Sequence, residues 1–529
     1  MSIVIRSLCY THPDREILFE NINLSISTGT KAALAGNNGA GKSTLLQLIA
    51  GDLKAAAGDL ILSEQAYYVP QHLGQYDHLS IAGALKIDKK LNALRAILEG
   101  DASPEHFNNL EDDWDIEEKA QNALAFWHLG HLGLEQKMET LSGGEKNKVF
   151  LAGIQIHSPG VILLDEPSNH IDLFSRELLY DFIKKSKATI LIASHDRALL
   201  NLLDITLELS KSGIELFGGN FDFYREQKEL KLNALQLQFD EQSKTLKQAQ
   251  QKARDLAEQR QKKEARGKAQ GLTQSLPRIV ANGLRGKAEQ TTAKIQDTHS
   301  EKINGISDDI RQVRQQIQQY QVLKIDLRES GLHQGKMLIN AQNINFGYEK
   351  KSLWDTPLSF QIRSGNRVKV EGKNGSGKTS LLKIIMGVLQ PNVGGISRAD
   401  FKYLYLDQEY SAIANQLSVF EQLQECNNRH LQEHDLKSLL HYYQFSQEMW
   451  DRKCESLSGG EKMKLSLCCL AASNNTPDLL VLDEPTNNLD LQSLEILSSA
   501  VKGFNGTLIL ISHDLHFVEE VGIDMSICL

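Results

Sequence analysis

The chain has 529 residues, 41% of them hydrophobic and 24% charged, and a formal net charge of −9. That length allows several domains, the composition is ordinary for a folded globular protein, and the acidic balance excludes a chain that coats nucleic acid over its whole surface while leaving room for a local basic patch. No run of about 18 apolar residues marks a membrane span, and the N-terminus lacks the apolar stretch of a secretory signal. The cysteines Cys9, Cys426, Cys454, Cys468, Cys469 and Cys528 have no metal-ligand spacing, so they are expected to be reduced thiols in a cytosolic protein.

The first strong signal in chain order is KAALAG, an apolar strand pattern, followed by GNNGAGKS over Gly36–Ser43 and the helical spacing of STLLQLIAG. A strand, a G-x-x-x-x-G-K-[ST] loop and a helix in that order make a phosphate loop. Its glycines let backbone N–H groups crowd around phosphate oxygens, and the helix N-terminus adds favourable partial charge. The expected nucleotide contacts are Gly36, Asn37, Asn38, Gly39, Ala40, Gly41, Lys42, Ser43 and Thr44. Lys42 should reach the β- and γ-phosphates of ATP, and Ser43 should hold Mg²⁺. Farther on comes LSGGEK at Leu141–Lys146, then VILLDEP, an apolar run ending in Asp165 and Glu166, then TILIASHD with His195. A buried strand that ends in paired acids delivers them to the sheet edge where α/β proteins bind ligands. Asp165 is then a Mg²⁺ partner, Glu166 the general base toward water, and His195 a hydrogen-bonding group for the γ-phosphate.

Residues from about 224 to 325 differ in kind. Leu232, Leu235, Phe239, Leu246, Ala249, Ala253 and Leu256 step by three and four in a Gln/Lys/Arg/Glu/Ala background, as do Ile303, Ile306, Ile310, Val313, Ile317 and Tyr320. This spacing predicts two long helices folded back as an antiparallel coiled-coil hairpin; forty helical residues would reach about 60 Å. Between them, residues 260–287 carry Arg260, Lys262, Lys263, Arg266, Lys268, Arg278, Arg285 and Lys287 against the single acid Glu264. Such a tip suits polyphosphate, and RNA is the expected contact, by shape and phosphate rather than by stacked aromatics.

The early motifs then return in order. GKNGSGKT, LSGGEK, VLDEPTNNLD and SHD recur at offsets of 336 residues (42 to 378), 316 (141 to 457), 318 (166 to 484) and 318 (195 to 513). The second set of nucleotide contacts is Gly372, Lys373, Asn374, Gly375, Ser376, Gly377, Lys378, Thr379 and Ser380. Thr379 and Asp483 are its Mg²⁺ partners, Glu484 its base and His513 its histidine. The fold expected is α/β: two P-loop domains, 1–225 and 337–529, joined by the helical hairpin at 226–336.

LSGGE together with the phosphate loops and the following DEP resembles the ATP-binding cassette superfamily. The resemblance implies that the signature of one cassette completes the nucleotide site of the other. Ser458, Gly459 and Gly460 would then face Gly36–Ser43, and Ser142, Gly143 and Gly144 would face Gly372–Thr379. It also implies glutamine-loop residues, Gln71 and Gln408, that sense Mg²⁺ and water. Adenine-stacking aromatics are implied at Tyr10 and Tyr348, with His12 and Phe346 as close alternatives. DEPSNHID, the long linker and about 20 extra residues between Gln71 and Ser142 (71 positions, against 50 from Gln408 to Ser458) resemble the ABC-F family in particular. Asn488 stands where that family usually has His. In the family the extra residues, here within 77–118, form a helical arm. The family further implies a cytoplasmic monomer with its cassettes paired intramolecularly. It implies a ribosomal partner, with the hairpin directed at rRNA and P-site tRNA, and a role as translation factor or antibiotic-resistance ribosomal protection protein. An ATPase subunit energising a membrane transporter is the alternative, and the long basic hairpin argues against it.

Overall fold

The computed structural model describes residues 2–271, 301–317 and 331–529, apart from 14–16, 38, 102, 170, 211–212, 315, 349–351, 374, 409, 474–476 and 487–488, and gives backbone alone at 173, 260 and 263–271. Two compact units result: Met1–Asp222 with Leu323–Leu529, and Phe223–Val322.

Within the first unit the two sequence repeats build the same layers twice. In the N-terminal repeat a six-stranded sheet runs in the order Ala66–Val69, Val161–Asp165, Thr189–Ala193, Lys31–Ala35, Ile205–Ser210, Gly213–Phe217, parallel throughout except for the last strand. The C-terminal repeat has five parallel strands in the order Tyr403–Leu406, Leu479–Asp483, Thr507–Ile511, Arg367–Glu371, Met525–Cys528. The central strands are buried along their whole length, Val161–Asp165, Thr189–Ala193, Leu479–Asp483 and Thr507–Ile511 without exception. This is why they read as unbroken apolar runs: a parallel sheet is covered on both faces. Each repeat adds a three-stranded antiparallel sheet, Ile17–Ile26 with Ile3–Thr11 and Ala57–Leu62, and Leu358–Arg363 with Met337–Asn345 and Val393–Arg398. One contiguous core per repeat joins these sheets to the phosphate-loop helix through Leu45, Leu46, Leu48 and Ile49, or through Leu381, Leu382, Ile384 and Ile385. Each such buried aliphatic side chain contributes about 1.5–3 kcal/mol.

The extra residues of the N-terminal repeat form the helices Asp88–Leu98 and Pro104–Leu110, ahead of Ile116–Phe126. In the C-terminal repeat Val419–Glu425 leads on to Glu433–Tyr442 with no such pair between.

The second unit contains the helix Phe221–Gly271 and a helical stretch over 301–317. The expected seam is visible as shielding. Leu232, Leu235, Phe239, Leu246, Ala249 and Ala253 are half-buried between exposed neighbours, as are Ile303, Ile306 and Ile310, while Val313 and Ile317 are buried. Leu256 is exposed, so the seam fades toward the tip. Of the basic tip residues, Lys262 is exposed on the helix. Arg260, Lys263, Arg266 and Lys268 lie on described helical backbone, and Arg278, Arg285 and Lys287 lie outside the described residues.

Candidate nucleotide sites

Each phosphate loop follows a strand that ends against the sheet core and turns into a helix, Lys42–Ala50 or Lys378–Ile385. The turn needs glycine at the helix cap: Gly41 and Gly377 have φ of 92° and 91°, and a Cβ on Gly41 would lie 2.5 Å from the Phe19 ring. Lys42 Nζ donates to the carbonyls of Gly36 (2.8 Å) and Asn37 (3.2 Å), and Lys378 Nζ to that of Gly372 (2.8 Å). The loop thus holds its own lysine over the place where phosphate would sit. Burial lowers the Lys42 pKa, and Glu166, Asp490 and Asp165 oppose that.

The paired acids diverge because the backbone turns sharply between them. Asp165 and Asp483 end their strands, whereas Glu166 and Glu484 take left-handed φ values of 50° and 49° while donating their N–H groups to Ala193 O and Ile511 O. A non-glycine residue in that region costs about 1–3 kcal/mol, and such strain clusters at functional sites. The Asp165 carboxylate accepts from Tyr68 Oη (3.2 Å), with Ser43 near enough to favour its charged form; that of Asp483 accepts from Thr379 Oγ1 (3.0 Å) and Tyr405 Oη (3.1 Å). The glutamates turn to the histidines. His195 Nε2 is 3.3 Å from Glu166 Oε1, and His513 Nε2 is 3.2 Å from Glu484 Oε1. Burial pushes Glu166 up to about 8 against the pull of Lys42, and pushes His195 down to about 3. Burial likewise raises Glu484 and lowers His513 to about 4. Both histidines are therefore neutral at physiological pH.

A cavity of about 270 Å³ collects His12, Gly39, Gly41, Lys42, Ser43, Thr44, Gln71, Asp165, Glu166 and His195. Ser458–Gly460 are not among its lining residues; Gly459 lines a different cavity of about 510 Å³ with Gln408 and Lys462. Both signature serines start helices. Ser142 caps Gly143–His157 and Ser458 caps Gly459–Ala472, each in a reciprocal box with Glu145 or Glu461. The repeats nevertheless meet. Asp490, which caps Leu491–Gly503 beside Gly460, acts electrostatically on Lys42 and His195. Asp172 and Arg176, at the start of Leu173–Lys185, act on His513, and Arg176 also on Glu484. A further cavity of about 290 Å³ between the repeats is lined by Glu166, Arg176, His195, Thr486, His513 and His516, among others. Asn38, Asn374 and Asn488 lie outside the described residues.

The structure separates the four aromatic candidates. Tyr10 packs against the apolar core, as does Phe346, whereas His12 lines the cavity and Tyr348, exposed, places its hydroxyl 3.3 Å from Ser380 Oγ. Tyr10 and His12 meet edge to face at 5.4 Å, Phe346 and Tyr348 at 5.1 Å. Tyr10 therefore corresponds to Phe346 and His12 to Tyr348. The 336-residue offset of the phosphate loops pairs them in the same way. Sequence reasoning also missed Tyr68 and Tyr405; the signal for them is a tyrosine three residues before each glutamine, Gln71 and Gln408.

Comparison with known families decides the assignment: the ABC transporter family model matches residues 19–169 and 356–487. The chain belongs to that family. It is a twin-cassette ATPase of the ABC-F type, and its two cassettes bind ATP. It is 28% identical to ABC transporter F family member 5 of Arabidopsis thaliana over 95% of this chain and 72% of that protein. It is also 28% identical to the ribosome protection protein VmlR of Bacillus subtilis (strain 168), over 98% of this chain and 85% of that one. Its fold matches the archaeal ribosome recycling factor aABCE1, solved with ribosomal stalk protein aP1. The TM-score is 0.59 with 17% identity, covering 98% of this chain and 86% of that one. Among the described residues no helix is long and apolar enough to cross a membrane.

Proposed function

We propose that the cassettes (1–225 and 337–529) hydrolyse ATP at two composite sites, and that nucleotide closure holds the protein on the ribosome until hydrolysis releases it. The observation that carries the composite reading is reciprocal. Asp490 of the second cassette acts on Lys42 and His195 of the first, and Asp172 and Arg176 of the first act on the His513 and Glu484 site of the second. ATP would draw Ser458–Gly460 toward Gly36–Ser43, and Ser142–Gly144 toward Gly372–Thr379, where capped helix N-termini offer N–H groups to the γ-phosphate.

The donor set fits Mg²⁺. Ser43 with Asp165, and Thr379 with Asp483, place a hydroxyl beside a carboxylate, the hard oxygen pair that this ion takes. When bound, the ion would neutralise developing phosphate charge, with Gln71 and Gln408 completing its surroundings. Tyr68 and Tyr405 orient the aspartates. Burial raises both glutamates, Glu166 to about 8, which makes each a stronger base than an exposed carboxylate; in its ionised form each accepts the proton of the attacking water at a carboxylate oxygen. His195 and His513, neutral, hydrogen-bond the γ-phosphate. Glu166 Oε1 and His195 Nδ1 are buried with no hydrogen-bond partner among the described residues, which leaves capacity for a water and a phosphate oxygen.

The ribosomal reading rests on the basic residues at 260–287, the length of the helix Phe221–Gly271, and likeness to a protein named for ribosome protection. In it the protein is a cytoplasmic monomer whose hairpin (226–336) carries its tip to rRNA and P-site tRNA, as a translation factor or a protection protein. The test is co-sedimentation with ribosomes of the Glu166→Gln/Glu484→Gln chain in ATP. It should pellet with ribosomes and turn over no ATP, and deletion of 260–287 should weaken pelleting and flatten its salt dependence. Failure to pellet, with a membrane permease copurifying instead, overturns the ribosomal reading.

A further inference from the structure

The two cassettes differ beside the first strand of their parallel sheets. In the first, Tyr67 stands in the edge strand Ala66–Val69, donates its hydroxyl to Phe150 O (3.0 Å), and stacks at 5.5 Å on the His157 ring. It fits because residue 153 is glycine: a Cβ there would lie 1.8 Å from the Tyr67 oxygen. The repeat sets the counterparts. Tyr68 and Tyr405 bond equivalent aspartates, which pairs Tyr67 with Leu404; Ser142 and Ser458 cap equivalent helices, which pairs Gly153 with Cys469 and His157 with Ser473. Two rings are thus replaced by an aliphatic chain and a hydroxyl. A cavity of about 490 Å³ opens in their place, lined by Leu404, Ala412, Cys426, Cys469 and Ser473 among others.

Two thiols share that cavity. Cys426 caps the end of Val419–Glu425, and Cys469 lies on the signature helix Gly459–Ala472. Both bond the buried Gln422, whose side-chain amide donates to Cys426 Sγ (3.5 Å) and whose backbone carbonyl accepts from Cys469 Sγ (3.9 Å). The two thiols act on each other: Cys469 brings Cys426 down to about 7, and Cys426 raises Cys469. Cys454 and Cys468 are buried, and burial raises both. A thiolate-forming cysteine beside a protonated one in an accessible hollow is the arrangement of an attacking and a resolving thiol.

We propose that Cys426 and Cys469 form a dithiol modification site for small organic disulfides. Cys426, as thiolate, attacks one sulfur of the disulfide, whose S–S bond breaks and expels one thiolate. Cys469 then gives up its proton and attacks Cys426 Sγ in the mixed disulfide, expelling the second. The small disulfide gains two electrons and the two protons released by the pair, leaving as two thiols; the protein gains one Cys426–Cys469 bond. That bond would tie the signature helix to the helix Val419–Glu425.

The test treats the full chain with 2-hydroxyethyl disulfide, followed by peptide mass spectrometry without reduction. The expected product is a linked peptide pair containing Cys426 and Cys469, while exposed Cys528 takes a single adduct. Cys469→Ser should stop the reaction at the mixed disulfide on Cys426. Ser473→His, which returns one of the first cassette's two rings to the hollow while leaving Cys469 its room, should slow linkage by about tenfold and leave the Cys528 rate unchanged. Adducts at Cys528 or Cys9 without the link, a stable Cys426 adduct in the unaltered chain, or unchanged linkage in the Ser473→His variant would each overturn the proposal. Melting curves of each variant separate a lost site from a lost fold.

Discussion

The two nucleotide sites share one design and differ at their edges. Lysine, aspartate, glutamate and histidine recur as a set, down to the left-handed glutamates and the 3.3 and 3.2 Å histidine distances. The flanking residues do not repeat. At the 318-residue offset Arg176 corresponds to Leu494, Arg197 to Leu515, Ala198 to His516 and Leu202 to Glu520. The chemistry is therefore duplicated, as is the reach of Asp172 and Asp490 across to the opposite site, while the contacts made by Arg176 and Arg197 are one-sided. Arg197, its side chain 2% exposed, lies 3.2 Å from Glu520 Oε1 and 3.4 Å from His516 Nδ1 across the interface, and the mirror positions carry no charge.

The most severe way to probe the shared part is to remove both bases. Glu166→Gln/Glu484→Gln should reduce steady-state phosphate release by at least about 100-fold, the scale of a lost general base. Each single substitution, measured against the double, shows how far one site runs without the other. Normal turnover in the double variant would end the assignment of the glutamates.

The one-sided contact gives the next effect. Arg197→Ala leaves Glu520 without its cross-cassette cation and should lower unfolding free energy by about 2–3 kcal/mol. This is somewhat less than a fully buried pair, because Glu520 retains 18% exposure and the Ser498 hydroxyl. Leu515→Ala, at the exposed mirror position, should cost under about 0.5 kcal/mol. Urea unfolding of the two variants checks the pair; equal losses would show that the contact does not bind the cassettes.

Arg176 then tests whether the sites are functionally unequal. It lines the shared cavity, its Nε is buried without a partner among the described residues, and its charge favours the ionised Glu484 carboxylate. Leu494 offers the first site only a buried apolar side chain. In the Glu166→Gln background, Arg176→Leu should lower kcat about tenfold with little change in KM, and Arg176→Lys should recover part of it. In the Glu484→Gln background it should change little. Equal effects in both backgrounds would make Arg176 a general interface residue.

What the sequence disclosed follows the same division. Each phosphate loop, acid pair and signature is a contiguous string whose chemistry depends on local backbone, so Lys42, Asp165, Glu166 and Ser142 were legible without coordinates. The seam at Leu232, Leu235 and Phe239 was legible because helical period and shielding are one property. Tyr68 and Tyr405 were not, since their value comes from strand pairing: Tyr68 lies beside Leu163, and only that register sets its hydroxyl on Asp165. Arg176, Arg197 and Asp490 were less legible still, because each matters through residues of the other cassette, far away in the chain. Tyr10 and Tyr348 match by residue type, whereas the offset of 336 matches His12 to Tyr348 by register.

The smallest effect concerns that register-matched pair. Tyr348 is 60% exposed beside the phosphate-loop helix, with its ring free to meet a base; His12 occupies the same position with a smaller ring. A base stacked on an aromatic side chain gains about 1–3 kcal/mol, and an exposed ring falls at the lower end. Tyr348→Ala should therefore weaken ATP binding at the second site about fivefold, and His12→Ala weaken the first by less. Tyr10→Ala should instead cost stability, because that ring packs, partly buried, against the core. Fluorescent-nucleotide titration and thermal melts on the three variants separate these roles. A Tyr10→Ala chain with unchanged melting and fivefold weaker ATP binding would return the stacking role to Tyr10, and with it would fall the register that matches the two sites residue for residue.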